Sequence, residues 1–301
     1  MALTKLYKKT YNVGQMGPTF FTPLRYPGGK GKFAPFIESL IEANGLRGGH
    51  YLEVYAGGAA VALDLLFKNY VSDIHINDFD PAVASFWRAA VDMTDELIEK
   101  IRAVEVNMDN WYHFKAIMED EGNTDTLEKG FATFFMNRCN RSGILKGGVI
   151  GGKAQAGNWK LDERFKKDNL IQRFERIKQH RAHIHVYQED AKLLLERCAD
   201  FLPENNSLIY LDPPYYVKGQ GLYRNFYEHQ DHIDIKDTLG SLNHKWVVSY
   251  DNVPEICEIY SQSTSREHAL TYTAHEKKIG NEVLFFSPGL TVPDENLRSV
   301  A

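Results

Sequence analysis

The sequence is poor in what several protein classes require. It has three cysteines, Cys139, Cys198 and Cys257, far apart and with no CxxC spacing. That argues against a disulfide framework and a structural zinc, and points to a reducing cytoplasm. No run approaches about 18 consecutive apolar residues, so no membrane span is expected. The first ten residues carry three lysines with no apolar stretch behind them, which does not read as a secretory signal. There is no low-complexity tract and no internal repeat. The 301 residues are 43% hydrophobic and 25% charged, which excludes a mainly disordered or collagen-like chain. They fit one large domain, or one domain with a sizeable insertion.

Positive charge is also scarce on average, with a formal net charge of −5. It is concentrated in residues 131–180, which hold 11 Lys+Arg against 4 Asp+Glu. A basic segment in an acidic chain suits a local phosphate-binding face. A solvated helix face rich in lysine would read the same way.

Strands and helices alternate along the chain. A Gly/Pro-rich loop, Pro23 to Lys30, precedes Phe33, Phe36, Ile37, Leu40 and Ile41 at helical spacing. His50 to Tyr55 suits a strand, followed by a glycine turn and an apolar helical segment from Val61 to Phe67. Val71 to Ile76 suits a second strand, ending in Asn77-Asp78-Phe79-Asp80 before a helix opened by Pro81. Residues 85–180 read as mainly helical, broken by six glycines between Gly143 and Gly157. His183 to Tyr187, Ser207 to Leu211, Trp246 to Tyr250 and Glu282 to Phe286 read as further strands. The alternation predicts a mostly parallel sheet with ligands at its carboxyl edge. The segment 85–180 is too long for one crossover and predicts an insertion.

Asp212-Pro213-Pro214-Tyr215, after the apolar strand Ser207 to Leu211, is the sharpest signal. A given tetrapeptide arises by chance in roughly 0.2% of chains this long. The prolines remove donors and stiffen the turn. A carboxylate and a carbonyl can then face an amino group, with an aromatic ring beside them to stack on a base. That is a pocket for the exocyclic amine of a flipped nucleobase; a rigid turn with a packed tyrosine is the plainer alternative. Gly57-Gly58 after Glu53 is either a simple strand–helix turn or a close approach for a cofactor. Asp78 could bind ribose hydroxyls, or Asp78 or Asp80 could cap the next helix. Asp190 could accept from a cofactor's adenine amine, or cap its own helix. Tyr26-Pro27-Gly28-Gly29-Lys30 puts a cation on a glycine loop, but the Walker pattern is absent, which argues against an NTPase.

Together these segments resemble the D12 class of N6-adenine DNA methyltransferases, in that family's order and over about residues 23–286. Tyr26 to Lys30, Glu53 to Ala59, Asn77 to Asp80, Asp190-Ala191, Asp212 to Tyr215 and Trp246 to Asp251 carry the resemblance. The order, with the cofactor motif first, then the insertion and then the catalytic motif, is that of the alpha group. The resemblance implies a Rossmann-like α/β sheet with helices on both faces, formed by residues 1–84 and 181–301. It implies a mainly helical target-recognition subdomain at 85–180. S-adenosylmethionine would be the donor, with no metal, and adenine N6 in double-stranded DNA the acceptor. Tyr26 and Lys30 would help form the cofactor-binding and catalytic cleft. Glu53, Tyr55, Ala56, Gly57 and Gly58 would line the methionine side. Asp78 would take the ribose and Asp190 the cofactor's adenine. Asp212, which also borders the cofactor, and the Pro213 carbonyl would hold N6, with Pro214 stiffening the turn and Tyr215 stacking on the base.

The chain departs from the family at Ala59, where a third glycine is usual, and beyond Asn137 to Gly143, where the segment does not resemble a GATC-reading loop. Arg138, Asn140, Arg141, Lys146, Lys153 and Gln155 are candidates for base or phosphate contact. Loop stabilisation is the alternative for each. A cytoplasmic monomer acting at the nucleoid is expected, with a cognate restriction endonuclease as partner if the chain is one of a restriction–modification pair. N4-cytosine methylation, RNA-base methylation and non-catalytic DNA binding are the competing readings. Asp212, where N4-cytosine enzymes more often carry serine, argues against the first.

Overall fold

The computed structural model describes residues 21–25, 30–120, 122, 125–217, 227–273 and 277–293. The elements run α1 (Ala34–Ala43), β1 (Gly49–Glu53), α2 (Ala60–Phe67), β2 (Val71–Asn77) and α3 (Pro81–Asp92). Four helices follow: α4 (Thr94–Ala103), α5 (Met108–Glu119), α6 (Thr126–Cys139) and α7 (Lys167–His180). Then come β3 (Ile184–Tyr187), α8 (Ala191–Glu196), β4 (Ser207–Leu211), α9 (His229–Ser241), β5 (Lys245–Asp251), α10 (Pro254–Ile259), β6 (Thr264–Thr273) and β7 (Lys277–Phe286).

The strands form one sheet in the order β3-β2-β1-β4-β5-β7-β6. β1 to β5 are parallel, and β7 is antiparallel to β5 and to β6. The expected Rossmann-like sheet is therefore present. Its order turns back between β1 and β4, so the carboxyl ends of those two strands lie side by side, with Glu53 paired to Tyr210. A parallel α/β sheet opens a crevice at such a switch point.

Both faces are covered, and β4 is accordingly buried along its whole length. Tyr51, Leu208, Tyr210 and Val247 face the layer of α1, α2 and α3. Leu52, Ile209, Leu211 and Val248 face the layer of α8, α9 and α10. The helices of segment 85–180 join the first layer. Phe134 of α6 and Phe174 of α7 pack on Phe86 of α3, in the same core as Leu63 and Tyr51. A boundary at 84/85 cuts through α3, whose Val83 and Phe86 both belong to that core. Gly130 lets α6 press against α3, since a Cβ there would meet the Ser85 carbonyl oxygen at 2.7 Å.

Candidate active site at the switch point of the sheet

β1 ends at Glu53, and the chain turns through Val54 to Ala59 into α2. Gly57 and Ala59 both take positive φ, +47° and +45°. Glycine does so freely, while alanine is strained there. The departure from a third glycine thus falls on a left-handed residue. Asp78, after β2, braces the turn: its carboxylate accepts from the Gly57 N–H at 2.9 Å and from the Asp80 N–H at 2.9 Å. The cap of α3 is Asp80, which accepts from the Ala82 N–H. Burial pushes Asp78 up to about 7, against the pull of its two N–H donors. Phe79, next to it, is 55% exposed.

Asn77 joins three strand ends. Its amide nitrogen donates to the carbonyls of Val54 and Glu189 at 3.0 Å each, and its oxygen accepts from the Glu189 N–H at 2.9 Å. Glu53 is buried and accepts from the Ala62 N–H at 3.0 Å and the Tyr51 hydroxyl at 3.3 Å. Burial pushes its carboxyl up to about 8. Thr22 donates its hydroxyl to the Gly58 carbonyl, and Trp87 its indole N–H to the Gly57 carbonyl. Ala56 is buried in the turn, and the Tyr55 hydroxyl pairs with that of Tyr227 at 2.7 Å. Asp190 is exposed and caps α8, with one oxygen accepting from the Lys192 and Leu193 N–H groups.

β4 delivers Asp212 to the same edge. Its Oδ1 accepts from the Ser249 hydroxyl at 2.7 Å and lies 3.4 Å from the Lys30 ammonium. Lys30 is buried; its Nζ lies 2.6 Å from Glu282 Oε2 and 3.0 Å from the Tyr215 hydroxyl. That hydroxyl donates to Glu282 Oε1. Pro213 and Pro214 lack N–H groups. The next two amides after Tyr215, those of Tyr216 and Val217, donate to the Asp251 carboxylate at 3.0 and 3.2 Å. Burial pushes Asp212 up to about 6; Lys30 opposes this and Glu282 adds to it. Burial would lower the Lys30 ammonium, but Asp212 and Glu282 hold it above its ordinary value. Burial, with Asp212 and Glu282 nearby, raises the Tyr215 hydroxyl far above its usual range. At neutral pH Tyr215 is therefore a donor and Lys30 a cation.

Among the sequence candidates, Lys30, Asp212, Pro213, Pro214 and Tyr215 lie together. Glu53, Tyr55, Ala56, Gly57, Gly58 and Asp78 line the adjoining turn, and Tyr26 lies outside the described residues. The sequence assigns no site role to Glu282, nor to Ser249 and Asp251, which lie in the segment Trp246 to Asp251 that carries part of the resemblance. The one signal for Glu282 in the sequence was a lone acid opening an otherwise apolar strand.

The basic segment divides. Asn140 is fully buried, accepting from the Trp111 indole at 2.8 Å and donating to the Ile144 and Leu145 carbonyls. Gln155 donates to the Ile150 and Gly152 carbonyls and accepts from the Leu161 N–H. Both brace the loop, and these internal bonds engage the amide groups that a DNA contact would need. Arg141, Lys146 and Lys153 are exposed. Arg138 is buried at the end of α6 with Nε and one terminal nitrogen unpartnered. Burial, with Arg173, Arg25 and Arg164 nearby, pushes it down to about 9. Trp159, also unanticipated, is 65% exposed; with Arg141, Ile150 and Asn158 it lines a shallow cavity of about 330 Å³. Among the described residues no group of three or more His, Cys, Asp or Glu is placed to hold a metal, and no helix is long and apolar enough to cross a membrane.

The sequence model of the D12 class N6 adenine-specific DNA methyltransferases matches residues 26–277. No curated protein matches the chain. Among solved structures, a chain described as a conserved hypothetical protein of Streptococcus pyogenes is 14% identical. That match covers 81% of this chain and 89% of the other, with a TM-score of 0.33.

Proposed function

The chain belongs to the D12 class of N6-adenine-specific DNA methyltransferases, and on that premise we propose that it methylates N6 of an adenine flipped out of duplex DNA, with S-adenosylmethionine as donor. The observation that carries the reading is the arrangement at the switch point. Asp212 and Tyr215 leave β4 beside the Gly57 turn and Asp78, with the buried Lys30 ammonium between Asp212 and Glu282.

The turn suits the donor. Each Asp78 oxygen uses one lone pair on a backbone N–H and keeps another for a ribose hydroxyl. The exposed Phe79 ring offers an adenine a stacking face. The strip from Tyr55 to Gly58 would follow the methionine portion, and exposed Asp190 would meet the adenine amine. Glu53, already bonded to Ala62 and Tyr51, would act by shaping the turn. S-adenosylmethionine supplies an electrophilic methyl group on a sulfonium.

Adenine N6 is a weak nucleophile because its lone pair is delocalised into the ring. Asp212 and the Pro213 carbonyl would accept its two hydrogens, favouring a more tetrahedral nitrogen whose lone pair faces the methyl group. The Tyr215 ring would stack on the base, and orientation contributes the rest of the acceleration. As the N–C bond forms, the C–S bonding pair leaves with sulfur. N6 is left with an extra proton, which Asp212, poised near pH 6, can take on its way to water.

Segment 85–180 would hold the DNA. A guanidinium as buried as Arg138, unpaired and beside other arginines, is costly alone. A backbone phosphate would satisfy it only on opening of the surrounding loop, while Arg141, Lys146, Lys153 and Trp159 face outward for groove or phosphate contact. The test is transfer of labelled methyl from S-adenosylmethionine to duplex DNA, followed by nucleoside digestion. Label in N6-methyladenine, lost with Asp212→Ala while cofactor binding persists, is expected. Label in cytosine, transfer to RNA only, or binding without transfer would overturn the reading.

A further inference from the structure

Glu282 comes to the catalytic edge from far along the chain. β7 runs antiparallel to β5 and pairs Glu282 with Asp251, at the carboxyl end of β5. Its carboxylate is buried and divides its two oxygens between Lys30 and Tyr215. The consequence for Asp212 lies in the distances. A buried ammonium between two carboxylates could close on either, and here it sits 2.6 Å from Glu282 and 3.4 Å from Asp212. The longer separation keeps Asp212 beside a positive charge without tying up its lone pairs in a short ionic hydrogen bond. The second oxygen fixes the Tyr215 hydroxyl, and through it the ring.

We propose that Glu282 is a positioning residue for methyl transfer: it draws Lys30 off Asp212 and anchors Tyr215, leaving Asp212 an open acceptor for the target amine. This rests on the reading of Asp212 as the group that holds that amine. Glu282 touches neither base nor donor and acts through Lys30 and Tyr215. Asp212 is faced by Lys30 from the segment before α1, Tyr51 and Glu53 from β1, Tyr210 and Tyr215 from β4 and its turn, Ser249 from β5 and Glu282 from β7. Of these, Glu282 adds negative charge and Lys30 the positive charge, while Glu53, pushed up to about 8 by burial, stays protonated at neutral pH and adds none. Removing the charge of Glu282 should therefore let Lys30 close on Asp212 and make Asp212 easier to ionise.

The experiment is single-turnover methylation by the full chain across pH, at saturating S-adenosylmethionine and DNA. The variants are Glu282→Gln, Lys30→Met, both together, and Asp212→Asn. Glutamine keeps the size and a carbonyl that can accept from Tyr215, and thermal melting checks folding. Glu282→Gln should lower the methylation rate by about tenfold to a hundredfold, as expected for a displaced catalytic group. Binding of donor and DNA should stay within about twofold of wild type. Its acidic limb should move to lower pH. In the Lys30→Met background the second substitution should cost nothing further, or restore part of the rate. An unchanged rate and limb in Glu282→Gln would overturn the proposal. So would equal losses of rate and binding, or losses that multiply in the double variant. If Asp212→Asn retains full activity, the reading of the catalytic site fails first. If it is inactive while Glu282→Gln behaves as wild type, only the role of Glu282 fails.

Discussion

The methylation rate should carry an acidic limb set by Asp212. Its carboxyl sits at the buried edge of β4, where loss of hydration raises it from an ordinary 3.8 to about 6. The ionised form is the one that accepts N6–H, so activity rises with pH through that value. A group titrating near 6 is about 97% ionised at pH 7.5 and about 9% at pH 5, a roughly tenfold fall in rate. A carboxyl at 3.8 would still be about 94% ionised at pH 5, and the profile would be flat. The assay is single-turnover transfer at saturating DNA and donor, with donor binding measured at each pH. Asp212→Asn should lower the rate by about a hundredfold to ten-thousandfold and remove the limb, with donor binding largely kept. A flat profile from pH 7.5 to 5, or an Asp212→Asn enzyme with more than a small residue of activity, would rule out Asp212 as the ionised acceptor of N6–H.

Three further outcomes are expected. Gly130→Ala should destabilise the fold by about 1–3 kcal/mol in denaturant unfolding, because the new methyl meets the Ser85 carbonyl and Ala89 between α6 and α3; an unchanged midpoint would mean that the helices part freely. Glu53 holds a proton in the folded chain up to about pH 8 that the unfolded chain loses near 4.5, so its stability cost grows as pH rises through that window and is complete above it. Glu53→Gln should therefore be more stable than wild type at pH 8.5 by up to a few kcal/mol, at about 1.4 kcal/mol for each tenfold change in acidity, and close to wild type at pH 4.5; an equal difference at both would contradict this. Replacing Lys146 and Lys153 by glutamine should reduce the slope of log affinity for duplex DNA against log salt by about 0.9 for each phosphate no longer neutralised; an unchanged slope would place DNA elsewhere.

Local features of the site were legible because their chemistry is short-range. An apolar strand ending in Asp212-Pro213-Pro214-Tyr215 and a strand followed by Gly57 each announce a turn and a site within a few residues. The role of Asp78 divided from that of Asp80 only in three dimensions, one bracing the glycine turn and the other capping α3. What brings the two turns together is the reversal of strand order between β1 and β4, which depends on which strands pair. Glu282 lies 70 residues beyond Asp212 in the chain and arrives only because β7 inserts antiparallel beside β5. In the basic segment, the same residue types divide into braces and surface groups. Backbone turns at Ser142 and Gln155, both with positive φ, help set which groups point inward. The helices of 85–180 have apolar faces in the sequence, but their partner, the α3 layer of the sheet, was not written there.

Adenine-N6 methylation of DNA at a defined site is tested by expressing the chain in a methylation-free bacterial host and mapping modified bases in genomic DNA at single-base resolution. N6-methyladenine confined to one short sequence, and absent with Asp212→Asn, is the predicted result. N4-methylcytosine, or unmodified DNA from a host making folded protein that still binds S-adenosylmethionine, would contradict it.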